Sequence, residues 1–446
     1  MRASESRTQQ TISFAQKQRN MSNDTDDFDV VIVGCGLSGL TAAHKILKQN
    51  PSLKICIVEA RGRMGGRLKS VSNREGKEVD VGGSWVGPKQ TNIMSLLDEM
   101  SVATHPQYLE GVNIHDDGKA LHTYTGTIPS ISLLSLIDTH FTLRKMEKLV
   151  RTIDLNDPKL CPKAQQWDSI SLFEFARKNS WTKQAQSLIG VAARLVFGYD
   201  ADQVSLLYFL FYCATAGGTR PLLDSDGGGQ DSRIQGGTVQ LLTALKNVVH
   251  AKGCSIRFDT TVRFVDYSRV ESVKVCCQTA RLDINITARR LIFCVPPSCL
   301  SRMSFSPCPS PWKLSLWNRS KAGCYIKIIV YYQSPFWRTN GFSGSCVCEN
   351  SSVSEGRPLV GVFDYCEGGE KMDSCALCCF VCGNTGEEFS ALSFPQQRVA
   401  VCAHLEKMFG AEASESLVQE MLIMDWLHDP DGSPAFGGEN IIVGDM

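Results

Sequence analysis

Apolar residues in this chain come in short dense runs divided by polar, glycine-rich or amphipathic stretches, and the period of each run assigns its element. Val30, Val31, Ile32 and Val33 are an unbroken β-branched run, as expected of a strand buried on both faces of a parallel sheet. Residues 37–49 predict a helix stopped by Asn50-Pro51, and residues 53–58 supply a second strand. A short helix runs from the Gln90-Thr91 cap region to the neighbourhood of Asp98. Helices are also expected over residues 171–178, 183–195, 238–250, 395–409 and 414–421. Strands are expected over residues 258–264, 326–332 and 377–381, and over 289–295, where Pro296-Pro297 end the run. Residues 217–229 read as a glycine-rich loop that packing or a bound group must order.

The junction between the first strand and the first helix carries chemistry. Gly34 permits a tight turn, Gly36 lets the backbone come against a pyrophosphate, and Gly39 lets the helix pack closely on the sheet. An anion there rests on free N–H groups at the helix start, beside Ser38. The second strand presents Glu59 at its carboxyl end, 20 residues beyond Gly39, where a carboxylate can accept hydrogen bonds from a ribose diol. A glycine triplet alone is a weak signal, but strand, loop, helix, second strand and acid follow here in order. The acid disfavours a cofactor with a 2′-phosphate. Gly62-Arg63-Met64-Gly65-Gly66-Arg67 then lets the chain wrap the pyrophosphate from a second side, with Arg67 available to neutralise it. Asp80-Val81-Gly82-Gly83-Ser84-Trp85-Val86-Gly87 adds a glycine-rich approach suited to a large flat ring. A nicotinamide enzyme needs this second wrapping less, so the cofactor expected is FAD.

These residues resemble the flavin-containing amine oxidase family, most of all its monoamine oxidase branch. The resemblance continues through residues 200–212, Gly217-Gly218-Thr219-Arg220, Gly228-Gly229-Gln230, Gly236-Gly237 and residues 325–338, and covers roughly residues 28–426. It implies an α/β fold: a Rossmann-like FAD-binding domain interleaved with a substrate domain of mixed sheet plus helices. On that plan residues 28–102, 235–316 and 426–446 belong to the FAD-binding domain, and 103–234 and 317–425 to the substrate domain. It also implies that Ser38, Glu59, Arg61, Arg67 and the Gly83-Ser84-Trp85 backbone contact FAD, and that Val262 meets the adenine portion through its backbone. Independently, the stretch around Val262 scans as a short strand whose ordinary role is sheet core.

Lys327 lies in a run otherwise rich in Ile, Val and Tyr, where a buried ammonium is costly unless paired or hydrated. In the family the matching lysine holds a water near N5 of the flavin, where reduced cofactor meets oxygen, and the resemblance implies that role here. Tyr212 and Gln230 would line the substrate cavity, the tyrosine offering an apolar face with a polar tip. The implied reaction takes a hydride equivalent from the carbon bearing a neutral amine, gives an imine that hydrolyses to an aldehyde, and reduces oxygen to hydrogen peroxide. Amino-acid substrates would want a fixed cation for their carboxylate, and Gly87-Pro88-Lys89-Gln90 offers only a lysine where arginine-bearing relatives differ, so a small amine without an α-carboxylate is favoured. Polyamine substrates would want acidic residues along a tunnel.

The chain departs from the family after Trp426. Glu439 follows Gly437-Gly438 where monoamine oxidases carry a flavin-tethering cysteine, and the chain ends at Met446, before the family's aromatic cage and closing glycine-rich segment. The expectation is therefore a noncovalent FAD and a C-terminally truncated amine oxidase fold, without the membrane-anchoring helix. Two alternatives stay open: a catalytically impaired isoform, and a related flavin oxidase acting on amino acids, polyamines or a porphyrinogen.

At 446 residues the chain exceeds a single core and suggests two domains. Its 46 basic and 46 acidic side chains cancel, leaving no field to gather nucleic acid or anionic lipid. Nineteen cysteines without secreted-type spacing point to free thiols in a reducing compartment. Cys375-Ala-Leu-Cys378-Cys379-Phe-Val-Cys382 and Cys276-Cys277 read as buried strands in which cysteine acts as a small hydrophobe, so no metal is expected. Residues 1–27 are polar, read as disordered and lack a signal peptide, so the chain is not expected to be secreted. Arg2, Arg7, Lys17 and Arg19 allow a weak mitochondrial presequence reading beside a cytoplasmic one. No apolar run is long enough to span a bilayer, and a homodimer is compatible with the family. Serine-elbow, P-loop and His-Glu-x-x-His patterns are absent from the sequence.

Overall fold

The computed structural model describes residues 26–367 and 374–428. Most of the arm expected to be disordered, and the terminal stretch with Gly437-Gly438-Glu439, lie outside the described residues. The chain divides into two compact units, one formed by residues up to Gly66 together with Leu242–Asn318, the other by Arg67–Leu241 and the chain from Arg319 onward.

The first unit is built on a seven-stranded sheet in the order Ser255–Arg257, Ile55–Val58, Asp26–Val33, Asp283–Phe293, Val273–Gln278, Thr261–Asp266, Ser304–Ser306. The β-branched run occupies the middle, parallel to both neighbours, and Val31, Ile32, Ile55 and Ile57 are wholly enclosed. That placement explains why the run shows no alternation. Helix Leu37–Gln49 turns Leu40, Ala43 and Leu47 inward, each large side chain adding roughly 1.5–3 kcal/mol of transfer free energy. It ends at Asn50 in extended conformation, as Pro51 requires of the residue before it.

A second seven-stranded sheet organises the other unit, in the order Glu420–Asp425, Tyr325–Tyr332, Cys375–Cys382, Gly361–Asp364, Phe342–Cys348, Val112–Asp116, Leu121–Tyr124. Strand Tyr325–Tyr332 serves two cores. Ile326, Ile328, Val330 and Tyr332 pack with Trp337, Phe389 and Leu405, while Ile329 and Tyr331 pack with Tyr365, Met424 and Trp426. Lys327 shares the second face. A separate helical layer comprises Leu133–Val150, Leu172–Asn179, Lys183–Phe197 and Leu206–Thr215. Ser132, Ser171, Thr182 and Ser205 cap these helices, Ser171 in a reciprocal box with Glu174. Among the described residues no helix is long and apolar enough to cross a membrane.

Two expectations are corrected. Residues 414–421 are not a helix: a 3₁₀ turn at Glu415–Leu417 gives way to strand Glu420–Asp425, antiparallel to Tyr325–Tyr332 with Met424 opposite Lys327. The free edge of that buried strand needs hydrogen-bond partners, and this demand overrides local helix propensity. The glycine-rich loop at 217–229 contains one helical turn, Thr219–Leu223. The cysteine-rich segment is a strand, as expected, with Cys378, Cys379 and Cys382 fully enclosed.

Candidate active site

In the first unit the glycines at 34, 36 and 39 are not equivalent. Gly34 has φ of 104°, and a Cβ there would lie 2.9 Å from the Cys294 carbonyl oxygen. A Cβ at Gly39 would lie 2.0 Å from the Gly34 oxygen, so close packing of helix on loop excludes any side chain. At Gly36 a Cβ would meet only Gly65, at an ordinary 3.6 Å. The protein itself does not demand glycine there; the space over it is open. Gly36 also precedes a helix with no side-chain cap and no acid in its first turn, and Ser38 is exposed beside it. The arrangement leaves helix N–H groups for an anion.

The second glycine loop is joined to the first. Gly65 N–H donates to the Cys35 carbonyl at 2.9 Å, and Gly65 and Gly66 both take positive φ. Glu59 fixes the corner: its carboxylate accepts from Cys35 N–H at 2.8 Å and Arg61 N–H at 3.0 Å. Thr260 N–H donates to the Glu59 carbonyl and Asp259 N–H to that of Arg61, drawing the segment before Val262 to the same end of the sheet. Val262 itself buries its side chain in the sheet core, and the ladder shifts register just after it.

In the second unit a cavity of about 400 Å³ is lined by Arg67, Gly83, Trp85, Gln230 and Lys327 among the residues anticipated from sequence. Leu195, Val196, Tyr325, Phe363, Phe380 and Trp426 supply most of its apolar wall. Trp85 stands among aromatic rings, 5.6 Å from Phe363, 5.8 Å from Tyr365 and 6.0 Å from Phe380, with Nε1 bonded to Gln107 at 2.8 Å. Trp426 Nε1 is held by the Val81 carbonyl at 3.0 Å, and Tyr325 donates its hydroxyl to Leu195 at 2.6 Å. Tyr212 is not among these lining residues; its ring meets Phe197 edge-on in the helical layer, with centroids 5.0 Å apart. Burial pushes its phenol up, with the Arg67 charge acting the other way.

Lys327 is 3% exposed. Its ammonium donates to the carbonyls of Asp80 at 2.7 Å and Gly82 at 3.0 Å, and to Ser84 Oγ at 2.5 Å, with Tyr365 Oη at 3.3 Å. The Trp85 and Tyr365 rings lie 5.0 and 4.8 Å from it. All the bonded acceptors are neutral. Burial therefore lowers its pKa; the nearby Asp80 charge, itself bonded to Ser70 Oγ and to Thr238 N–H and Oγ1, offsets this only in part, and the Arg233 charge adds to the lowering. Tyr365, Phe363 and Phe380 escaped the sequence reading. Their roles depend on cross-strand register, with Gly361 opposite Phe380, which one sequence does not display.

The profile of the flavin containing amine oxidoreductases matches residues 37–430. The chain belongs to that family. It is 29% identical to the pig (Sus scrofa) amine oxidase [flavin-containing] B over 388 residues, covering 86% of this chain and 71% of the relative. It is 28% identical to the human protein of the same name over 395 residues, 88% of this chain and 73% of the relative. A solved putrescine oxidase, the wild type bound to putrescine, superimposes with a TM-score of 0.83 at 26% identity, covering 95% of this chain and 90% of that one. The amine oxidase fold and a flavin cofactor follow from membership. The residues of each unit fit parts of such a group: in the first, the open space over Gly36, the uncapped helix start and Glu59 could take a phosphate and a ribose; in the second, an aromatic cavity carrying Arg67 and Lys327 could take a flat polar ring.

Proposed function

We propose that this chain binds FAD without a covalent tether and oxidises a small, largely apolar amine. Gly34, Gly36, Ser38, Gly39, Gly65 and Gly66 would hold the diphosphate, Glu59 and Arg61 the ribose end, and Val262 the adenine. Arg67 and the Gly83–Trp85 backbone would hold the ring system. Glu439 in place of a cysteine after Gly437-Gly438 supports the noncovalent reading. The bound flavin supplies a two-electron acceptor for the amine's α-C–H and passes those electrons to dioxygen, giving hydrogen peroxide.

The remaining tasks fall to the protein. The aromatic and aliphatic wall excludes water and favours a substrate that arrives as the neutral amine. Gln230 and Ser225 are polar wall groups able to orient it. Lys327 keeps a positive charge beside the cavity on a ring of neutral oxygens, where it favours placing electrons on dioxygen. The single observation carrying the substrate class is that, among the described residues, no acidic one lines the cavity. A diamine's second ammonium would enter an apolar wall unpaired, which is costly.

Purified protein would be assayed for bound flavin before and after denaturation, then for peroxide release with an arylalkyl monoamine, an aliphatic diamine and an α-amino acid. Flavin released on denaturation and the highest kcat/KM on the monoamine are expected. Flavin that stays with the denatured chain would overturn the noncovalent reading, and preference for the diamine would overturn the substrate class.

A further inference from the structure

Strand Gly361–Asp364 runs antiparallel to Cys375–Cys382, and the register from Gly361 opposite Phe380 to Asp364 opposite Leu377 continues through a bridge between Glu367 and Ser374. Cys366 therefore lies directly across from Cys375. Glu367 and Ser374 exchange both backbone hydrogen bonds, at 3.2 and 3.4 Å. The cysteines thus occupy the adjacent site without ladder bonds, where opposed Cα atoms come to about 4.5 Å and side chains on one face are nearest. That separation falls within the span a disulfide bridges, about 4.4–6.8 Å.

Placed across from each other, the two thiols shift each other's ionisation in opposite directions, up at Cys366 and down at Cys375. Cys375 is half-buried and reachable, whereas Cys366 is enclosed behind it. The facing Cys366 thiol, helped by the Arg338 charge and opposed by burial, holds the Cys375 thiol below its ordinary range. Other cysteines of the same strand differ: Cys378, Cys379 and Cys382 are fully enclosed and burial pushes their thiols up.

We propose that Cys366 and Cys375 form a peroxide-reactive dithiol that closes to a cross-strand disulfide. The Cys375 thiolate attacks one oxygen of hydrogen peroxide, the O–O bond breaks, and hydroxide leaves to take up a proton as water. The sulfur of Cys366 then attacks the resulting Cys375 sulfenic acid, an S–S bond forms, and the sulfenic oxygen departs with the Cys366 proton as a second water. Two thiols lose two electrons in all and peroxide gains them. The pair adjoins Tyr365, whose hydroxyl donates to Ser84 Oγ at 2.8 Å, and Arg233 Nη2 donates to the Cys366 carbonyl at 2.6 Å. Closure would therefore fasten the strand end from which Tyr365 reaches the Lys327 cluster. The proposal does not rest on amine turnover, since peroxide can be added directly.

The full chain would be exposed to hydrogen peroxide, alkylated under denaturing conditions, cut at lysine and mapped without reduction. Lys371 lies between the two cysteines in sequence, so a linkage appears as two joined peptides whose fragments locate the sulfurs. Loss of alkylation at Cys366 and Cys375 together is expected, restored by dithiothreitol, while Cys378, Cys379 and Cys382 stay alkylated. Cys366→Ser should leave Cys375 as a sulfenic acid trapped by dimedone. Both cysteines still fully alkylated at a peroxide dose that oxidises the exposed Cys308, or either one joined to a different cysteine, would overturn the proposal.

Discussion

Lys327 and Arg338, two cations of the same unit, are held in opposite ways. Asp364, with no exposed surface, accepts from Arg338 Nε at 2.7 Å and Nη2 at 2.8 Å, from Trp337 Nε1 at 2.8 Å and from Cys366 N–H at 3.0 Å. Burial works against the Arg338 charge, but the bonds and charge of Asp364 outweigh it and raise its pKa. Among the described residues Lys327 has no carboxylate bonded to it, the nearby Asp80 being bound to Ser70 and Thr238, and burial lowers its pKa. A cation matched to an enclosed carboxylate holds structure, since removing it would leave Asp364 as a buried charge without its cation. A cation left on neutral oxygens beside a cavity is available to interact with what enters it.

The comparison breaks most sharply at Asp364. Asp364→Asn keeps the shape but removes the buried charge that Arg338, Trp337 Nε1 and the Cys366 N–H all bind, and a loss of about 3–5 kcal/mol in unfolding free energy is expected. Thermal and urea unfolding of the purified chain measure this; a change too small to detect would remove the structural reading of the pair. Lys327→Met should do the reverse, sparing stability and costing activity. Its acceptors keep other donors, since Tyr365 Oη also reaches the Asp80 carbonyl at 3.2 Å and Ser84 Oγ, which itself reaches the Gly82 carbonyl at 3.2 Å. Reoxidation of reduced flavin by oxygen should slow by about a hundredfold, the size associated with removing one positioned stabilising donor. Rapid-mixing measurements of the two half-reactions check it, and equal slowing of anaerobic reduction would count against a role in the oxygen step.

The same contrast marks what the sequence displayed. The run Val30–Val33, the turn at Gly34, the helix from Leu37 and the acid at Glu59 are set by neighbours in the chain, so a local reading recovers them. The apolar run around Lys327 likewise announced burial, and the lysine is buried. What surrounds it did not show, because Ser84 and Tyr365 are brought in by sheet register and loop course rather than by spacing. Residues 414–421 were misread for the same reason: an apolar and polar mixture compatible with a helix becomes a strand when an adjacent buried strand needs a partner. Cys366 and Cys375 are separated in sequence, and only the register shows that they face each other. Tyr212, carried over by family resemblance, sits in the helical layer within range of the Arg67 charge at the cavity wall, a position no local signal marks.

The smallest effect separates two histidines that the sequence treats alike. His115 has acceptors at both ring nitrogens, the Ser130 carbonyl at 2.9 Å and Glu349 Oε1 at 2.8 Å. Burial alone would lower its pKa, but these bonds, with the charges of Glu349 and Asp117, raise it. His404 accepts Leu359 N–H at Nδ1 and donates from Nε2 to Asp116 at 3.1 Å, which requires the neutral ring. Burial lowers its pKa, the Lys407 and Arg357 charges add to that, and Asp116 offsets only part. Asp116 stays ionised: burial would raise its pKa, yet bonds from His404, Lys407 and Gly118 N–H hold it well below the usual carboxylate range. The linkage signs are therefore opposite. His115 contributes stability that is complete below the unfolded value of about 6.5 and is lost as pH rises through its higher folded value. His404 contributes stability that is complete above about 6.5 and is lost as pH falls through its lower folded value. Against wild type, the stability deficit of His115→Gln should shrink toward alkaline pH and that of His404→Gln toward acid, in melting temperatures taken between about pH 5 and 9, the range histidine titration spans. Deficits that run parallel would mean the two rings share one protonation state, and the division of this unit into charge-matched and unmatched groups would fail at its best-resolved point.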